Sequence, residues 1–296
     1  GKGGLGSVYL GEHPVIGSRV AIKVLHPSMC DSPEAVRRFV VEARAVNRVD
    51  SPHIVKTFDF GKLPDGRDYA VMELLEGHTL ADRIADAGPL PWKQVAPVAA
   101  QMLAGLAAAH GAGIVHRDLK PENVHLGTAR DGGLELKILD FGIAKLTDEA
   151  LNADATQAGT CMGTPLYAAP EQLAGDVTGP TADIYSLGVV LYEMLAGQPP
   201  HVGTLKQVVK TKLTERARSL GQRVEGLPPA VVRLVDRMLS LDPSARPCAG
   251  EAMAVLEDPD AHAAVEPYAV LAPPDVDPAL QRRLADADTV VPGQSG

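Results

Sequence analysis

The stretch His116-Arg117-Asp118-Leu119-Lys120-Pro121-Glu122-Asn123 places a carboxylate, an ammonium and a carboxamide within six residues. Those groups suit phosphoryl transfer. Asp118 can accept the proton of an attacking hydroxyl, and Lys120, two residues on, can reach the transferred phosphate. Asn123 and the later Asp140, in Asp140-Phe141-Gly142, offer hard oxygen ligands of the kind magnesium prefers. Such a reaction passes through a loose transition state, so positioning and charge neutralisation count for more than a strong base. His116 and Glu122 read as structural.

Two further groups stand upstream. Gly1-Lys2-Gly3-Gly4-Leu5-Gly6-Ser7-Val8 follows the pattern G-x-G-x-x-G-x-V. Bare glycines let backbone amides approach phosphate oxygens where a side chain would clash. The same pattern also serves as a flexible hairpin turn. Here the alternating Val8-Tyr9-Leu10 follows it, which predicts strand–loop–strand and not the loop-to-helix form of a dinucleotide site. Lys23 lies in the β-branched run Val20-Ala21-Ile22-Lys23-Val24-Leu25 and shares a strand face with Ala21 and Leu25. A buried ammonium needs an anion: nucleotide phosphates or Glu42 would serve, unless Lys23 stands on an edge strand and reaches water.

Taken together and in this order, these motifs resemble the eukaryotic-like (bacterial-type) serine/threonine protein kinases, over residues 1 to about 257. The resemblance implies an α+β, two-lobed fold. Residues 1–72 form a small β-rich lobe, 73–78 a hinge, 79–257 a larger helical lobe, and 258–296 a flexible tail. It implies transfer of the γ-phosphate of ATP to Ser or Thr of proteins, with Mg2+ (or Mn2+) as the metal. Lys23, Glu42, Asp118, Lys120 and Asn123 would be catalytic, with Glu42 pairing Lys23. Gly1, Gly3, Gly6, Val8, Ala21, Lys23, Met72 and the backbones of Glu73 and Leu75 would bind ATP, and Asn123 and Asp140 the metal. His125 stands where family members carry an apolar residue beneath the adenine; it either stacks on the base or turns away.

The segment from Asp140 to Glu171 would bind substrate and regulate the site. Gly163 to Glu171 matches the family's G-T-P-x-Y-x-A-P-E, with Thr164 touching Asp118 and Lys120, and Glu171 pairing Arg246. Small-molecule phosphotransferases of related fold lack that pair. Arg117 would receive a phosphothreonine, for which Thr156 and Thr160 are the candidates; either is otherwise a plain loop residue. Asp183 would bond the backbone of the catalytic loop. The reading from another class, a binding or scaffold module without catalysis, normally shows a missing lysine, base or metal aspartate, and none is missing here.

The elements that must position these groups are legible in outline. Ser32-Pro33-Glu34 predicts a helix start, with Ser32 as cap and Pro33 at the first helical position. Val36, Phe39, Val40, Ala43 and Val46 then form one stripe. Ile54–Phe58 and Asp68–Glu73 read as strands about a turn. Val95, Val98, Ala99, Met102, Leu103 and Leu106 predict a core helix ending at Gly111 or Gly113. Val124–Leu126 and Leu134–Leu139 read as a hairpin.

A chain of 296 residues with 45% hydrophobic residues can bury two lobes, but aromatics are only 4%, so Ala, Val and Leu must do the packing. The net charge of −9 argues against nucleic-acid binding. Cys30, Cys161 and Cys248 are too far apart for a metal spacing and fit a reducing compartment. With neither an eighteen-residue apolar run nor a signal peptide, the expectation is a cytoplasmic location, on its own or as the cytoplasmic part of a longer membrane-attached protein. Gly1 is already the first loop glycine, so the chain reads as a fragment whose first strand is missing. The Pro-, Ala- and Asp-rich tail reads as linker. Within it a short helix over 278–287 is one expectation, and Asp286–Val291 is a candidate docking site for a phosphothreonine-binding partner.

Overall fold

Short runs of aliphatic and aromatic residues, with Val20, Ile22 and Val24 alternating in the middle one, build the first layer, an antiparallel sheet. In this computed structural model, residues 2–3, 6–27, 33–141 and 165–259 are described. Strands β1 (Lys2–Gly3), β2 (Gly6–Glu12), β3 (Arg19–Leu25), β4 (Thr57–Lys62) and β5 (Asp68–Glu73) form the sheet in the order β1-β2-β3-β5-β4. The expected strand–loop–strand at the glycines is present, since Lys2 pairs with Ser7 and Gly3 with Gly6. Gly6 has to be glycine for a packing reason: a Cβ there would stand 2.1 Å from the Val24 carbonyl oxygen. Two expectations change. The strand predicted over 54–58 starts only at Thr57, because Ile54 is drawn into a parallel bridge with Ile138 of the second layer. Lys23 is not on an edge: β3 lies between β2 and β5, and Lys23 is 7% exposed.

Helix α1 (Pro33–Val46) follows β3 with Pro33 at its first position, as its pattern predicts. Ser32 and the side chains of Phe39 and Glu42 lie outside the described residues.

The second layer is helical. After β6 (His78–Thr79) come α2 (Leu80–Ala87) and α3 (Trp92–Gly111), then the hairpin β7 (Val124–Thr128) and β8 (Leu134–Ile138). Thr79 caps α2 by accepting from the Asp82 amide, while the Asp82 carboxylate accepts from the Thr79 amide. Beyond residue 165 follow α4 (Pro170–Ala174), α5 (Pro180–Ala196), α6 (Leu205–Thr214), α7 (Pro229–Met238) and α8 (Ala249–Glu257). Helices α3 and α5 are apolar nearly all round, which places them in the middle of the core. Val95, Ala99, Met102 and Leu106 of α3 and Leu187, Val190 and Leu191 of α5 are buried in one cluster. No described helix is long and apolar enough to cross a membrane.

Candidate active site

Asp118 sits on the loop between α3 and β7, and that loop is fixed from below by one buried carboxylate. Asp183 of α5 accepts from the amides of His116 at 2.8 Å and Arg117 at 2.7 Å, and from His110 Nε2 at 2.8 Å. The expected scaffold role of Asp183 is therefore realised. Arg117 adopts φ 67, a conformation L residues rarely hold without such clamps. His116 turns its ring onto the Leu139 carbonyl (2.8 Å) and against Phe141, with ring centroids 4.6 Å apart.

Around Asp118 the polar groups converge. Lys120 Nζ donates to Asp118 Oδ2 at 2.6 Å. Asn123 Nδ2 donates to the same oxygen at 3.1 Å and to the Asp118 carbonyl at 2.8 Å. This commits the amide nitrogen of Asn123 and leaves its oxygen as the atom available to a cation. The Asn123 carbonyl accepts from the Leu139 amide at 2.8 Å, so Asp140 follows directly beside it. Asp140 has φ 56, and its Oδ1 accepts from Lys23 Nζ at 2.5 Å. The polar array thus consists of two clusters, Lys23–Asp140 and Lys120–Asp118–Asn123, joined through the backbone by the Leu139 amide on the Asn123 carbonyl. The Lys23–Asp140 contact was not anticipated; Glu42, the expected partner, has its side chain outside the described residues.

The strip joining the layers runs from Glu73 to Thr79. Met72 on β5 is paired with Ala21 across the sheet, and Val8 with Lys23. Glu73 does more than sequence reasoning gave it: its carboxylate accepts from the Lys56 amide at 2.7 Å and from Lys137 Nζ of β8 at 3.1 Å. Leu75 is half-buried in the irregular stretch that follows. Gly77 has φ 139, and a Cβ there would lie 2.0 Å from the Leu126 carbonyl oxygen and 3.0 Å from His125 Cε1. His125 pairs with Thr79 on one side and Lys137 on the other. Burial, and then the neighbouring His78, hold its imidazole below the ordinary histidine range, against the opposing pull of Glu135 and Asp82.

On the other flank, Glu171 and Arg246 form the expected pair, with both guanidinium nitrogens on the carboxylate at 2.6 and 2.8 Å. Gln172, which the sequence reading passed over, donates through Nε2 to the Arg117 carbonyl at 2.8 Å and accepts from the Ala169 amide at 2.9 Å. Its position at the third residue of α4, behind Pro170, is a capping signal that could have found it. Gly1, Thr156, Thr160, Thr164 and the tail from residue 260 on lie outside the described residues.

The donor set fits a magnesium-type ion: a carboxylate and an amide oxygen, both hard ligands, with an ammonium close by to share anionic oxygens. The model of the family described as "Protein kinase domain" matches residues 1–256. Serine/threonine-protein kinase Pkn1 of Myxococcus xanthus is 48% identical over 68% of this chain, which covers 28% of that protein. Serine/threonine-protein kinase PknL of Mycobacterium tuberculosis is 36% identical over 83% of this chain and 60% of that protein. The chain spans less than two thirds of these relatives' lengths. The crystal structure of the M. tuberculosis PknI kinase domain superposes with a TM-score of 0.66 at 27% identity, over 87% of this chain and 92% of that one.

Proposed function

The chain belongs to the protein kinase family, and we propose that it transfers the γ-phosphate of ATP to serine or threonine hydroxyls of proteins. The observation that carries the reading is that the Lys23–Asp140 pair and the Lys120–Asp118–Asn123 cluster are tied to one another through the Leu139 amide on the Asn123 carbonyl. Asp118 orients the hydroxyl and takes its proton as the oxygen bonds to the terminal phosphorus and the bridging oxygen leaves on ADP. Lys120, already on Asp118, is within reach of the oxygens being transferred. Lys23 holds the upstream phosphates, and Gly1, Gly3 and Gly6 present amides to them. Ala21, Val8, Met72 and the backbones of Glu73 and Leu75 receive the adenine, with His125 facing it from β7. Asn123 and Asp140 hold Mg2+ or Mn2+, which when bound neutralises the phosphate charge.

The Glu171–Arg246 pair and the Gln172 link to the Arg117 carbonyl favour a protein substrate, because they brace a surface beside Asp118 that a small substrate does not need. Arg117 would receive phosphorylated Thr156 or Thr160, ordering the loop through charge-assisted hydrogen bonds. A cytoplasmic setting, where ATP is supplied, and a phosphothreonine-reading partner at Asp286–Val291 complete the reading.

The test is mass spectrometry of the chain after incubation with magnesium-ATP and a generic basic protein. Phosphate is expected on serines or threonines of that protein, and on Thr156 or Thr160 of the chain itself. No transfer to either would sink the proposal.

A further inference from the structure

Below the Asp118 flank, α6 carries a lysine with no route to water. Lys212 is 0% exposed. Its Nζ donates to the Ala168 carbonyl oxygen at 2.8 Å and lies 5.1 Å from the centroid of the Tyr185 ring. Among the described residues no carboxylate forms an ion pair with it. Arg246 stands over the same ring at 4.9 Å and is locked to Glu171. His201 is buried with Nε2 unpartnered among the described residues. Burial first, and Lys212 second, push His201 down to about 4, so it is neutral near pH 7. The Tyr185 hydroxyl is likewise unpartnered, and burial keeps it protonated. Burial also pulls Lys212 well below the usual lysine range.

An amine sealed among neutral and cationic neighbours is a liability for folding. An apolar side chain of similar length would remove that desolvation cost and give up one hydrogen bond to a carbonyl, so stability is expected to hold or rise. The contact it makes is therefore the informative part. Ala168 precedes Ala169, whose amide is held by Gln172, and Gln172 holds the Arg117 carbonyl next to Asp118. Three hydrogen bonds lead from α6 to the peptide that carries the proposed base.

We infer that Lys212 is a positioning residue for the protein substrate: by gripping the Ala168 carbonyl from α6 it sets the backbone of residues 165–169, which a polypeptide must pass to bring its hydroxyl to Asp118. The inference rests on the kinase reading above and names a residue that reading does not use. Lys212 has no described contact with Lys23, Asn123 or Asp140, so the nucleotide side of the array is independent of it.

The experiment compares the full chain with Lys212→Met and Lys212→Gln by three measurements: amide hydrogen exchange over residues 166–172, KM for a basic protein substrate against KM for ATP, and Tm. For Lys212→Met the expectation is exchange and protein KM raised about tenfold, ATP KM and kcat within about twofold, and Tm equal or higher. Lys212→Gln retains a donor and should fall between. The inference is overturned if exchange and protein KM both stay at the wild-type values. It is equally overturned if Tm falls and every kinetic parameter worsens together, the pattern of a merely structural lysine. A wild-type chain that transfers no phosphate would instead sink the kinase reading, and the exchange arm would still decide whether Lys212 holds the segment.

Discussion

Asp118 is held by its neighbours on one oxygen. Lys120 Nζ and Asn123 Nδ2 both donate to Oδ2, so among the described residues Oδ1 is the oxygen left for an incoming hydroxyl. Asp118→Asn keeps the shape and loses the proton acceptor. We predict a kcat lower by roughly 10²–10⁴-fold, the range of a lost general base, with ATP binding nearly intact. Lys23→Met should behave differently, raising the KM for ATP as well as lowering kcat, because it removes a cation and leaves Asp140 without its ammonium. Steady-state kinetics on both variants would check this; small and equal effects would mean that the chemistry lies elsewhere. At this scale much was legible in the sequence. Asp118, Lys120 and Asn123 lie so close along the chain that any fold keeps them together. Lys23 and Asp140 are 117 positions apart, and only the packing of the sheet on the helical layer makes them partners. The pairing of Lys137 with the Glu73 carboxylate escaped notice for the same reason.

Among the elements, α5 is the fixed point. Its Asp183 holds the Asp118 loop, its Ser186 hydroxyl donates to the Tyr167 carbonyl at 2.9 Å, and its Thr181 carbonyl accepts from Arg246. Apolar periodicity announces α3 and α5 as core helices, and the motif order announces the Glu171–Arg246 pair. Strand boundaries were less legible. The apolar run at 54–58 looks like strand, yet its first residues leave the sheet to bond β8, a tertiary preference that local alternation cannot encode. The Glu171–Arg246 pair is buried, with Arg246 4% exposed, which sets the sign of its mutants. Arg246→Met should cost roughly 3–5 kcal/mol, since Glu171 is left charged and buried, whereas the double change Arg246→Met with Glu171→Gln should recover much of that loss. Chemical denaturation of the two variants decides it. A double mutant no better than the single one would show that the pair contributes through specific geometry and not through charge compensation.

Across the whole molecule, the sheet is tied to the helical layer along one side. The Ile138 amide donates to the His53 carbonyl at 2.8 Å, the Val55 amide donates to the Ile138 carbonyl at 3.1 Å, and Lys137 reaches Glu73. Near the glycines, by contrast, the described bridge is the single pair Lys23–Asp140. A nucleotide with its metal would enter on that side, touching Lys23 and the glycine strands above and Asn123 and Asp140 below. It would add contacts between the two layers, and a ligand bound only by the folded state stabilises by mass action. At a hundredfold excess over Kd this amounts to about 2.7 kcal/mol. In a domain of this size each kcal/mol moves Tm by about 2–4 °C, so the expected rise is roughly 5–10 °C. The rise should require magnesium and ATP together, survive in Asp118→Asn, and shrink sharply in Lys23→Met and in Asp140→Asn. Thermal melts of the four proteins with ATP, magnesium, both and neither would measure it. If Asp118→Asn lost the shift while Lys23→Met kept it, the nucleotide would not be bridging the two layers at Lys23 and Asp140.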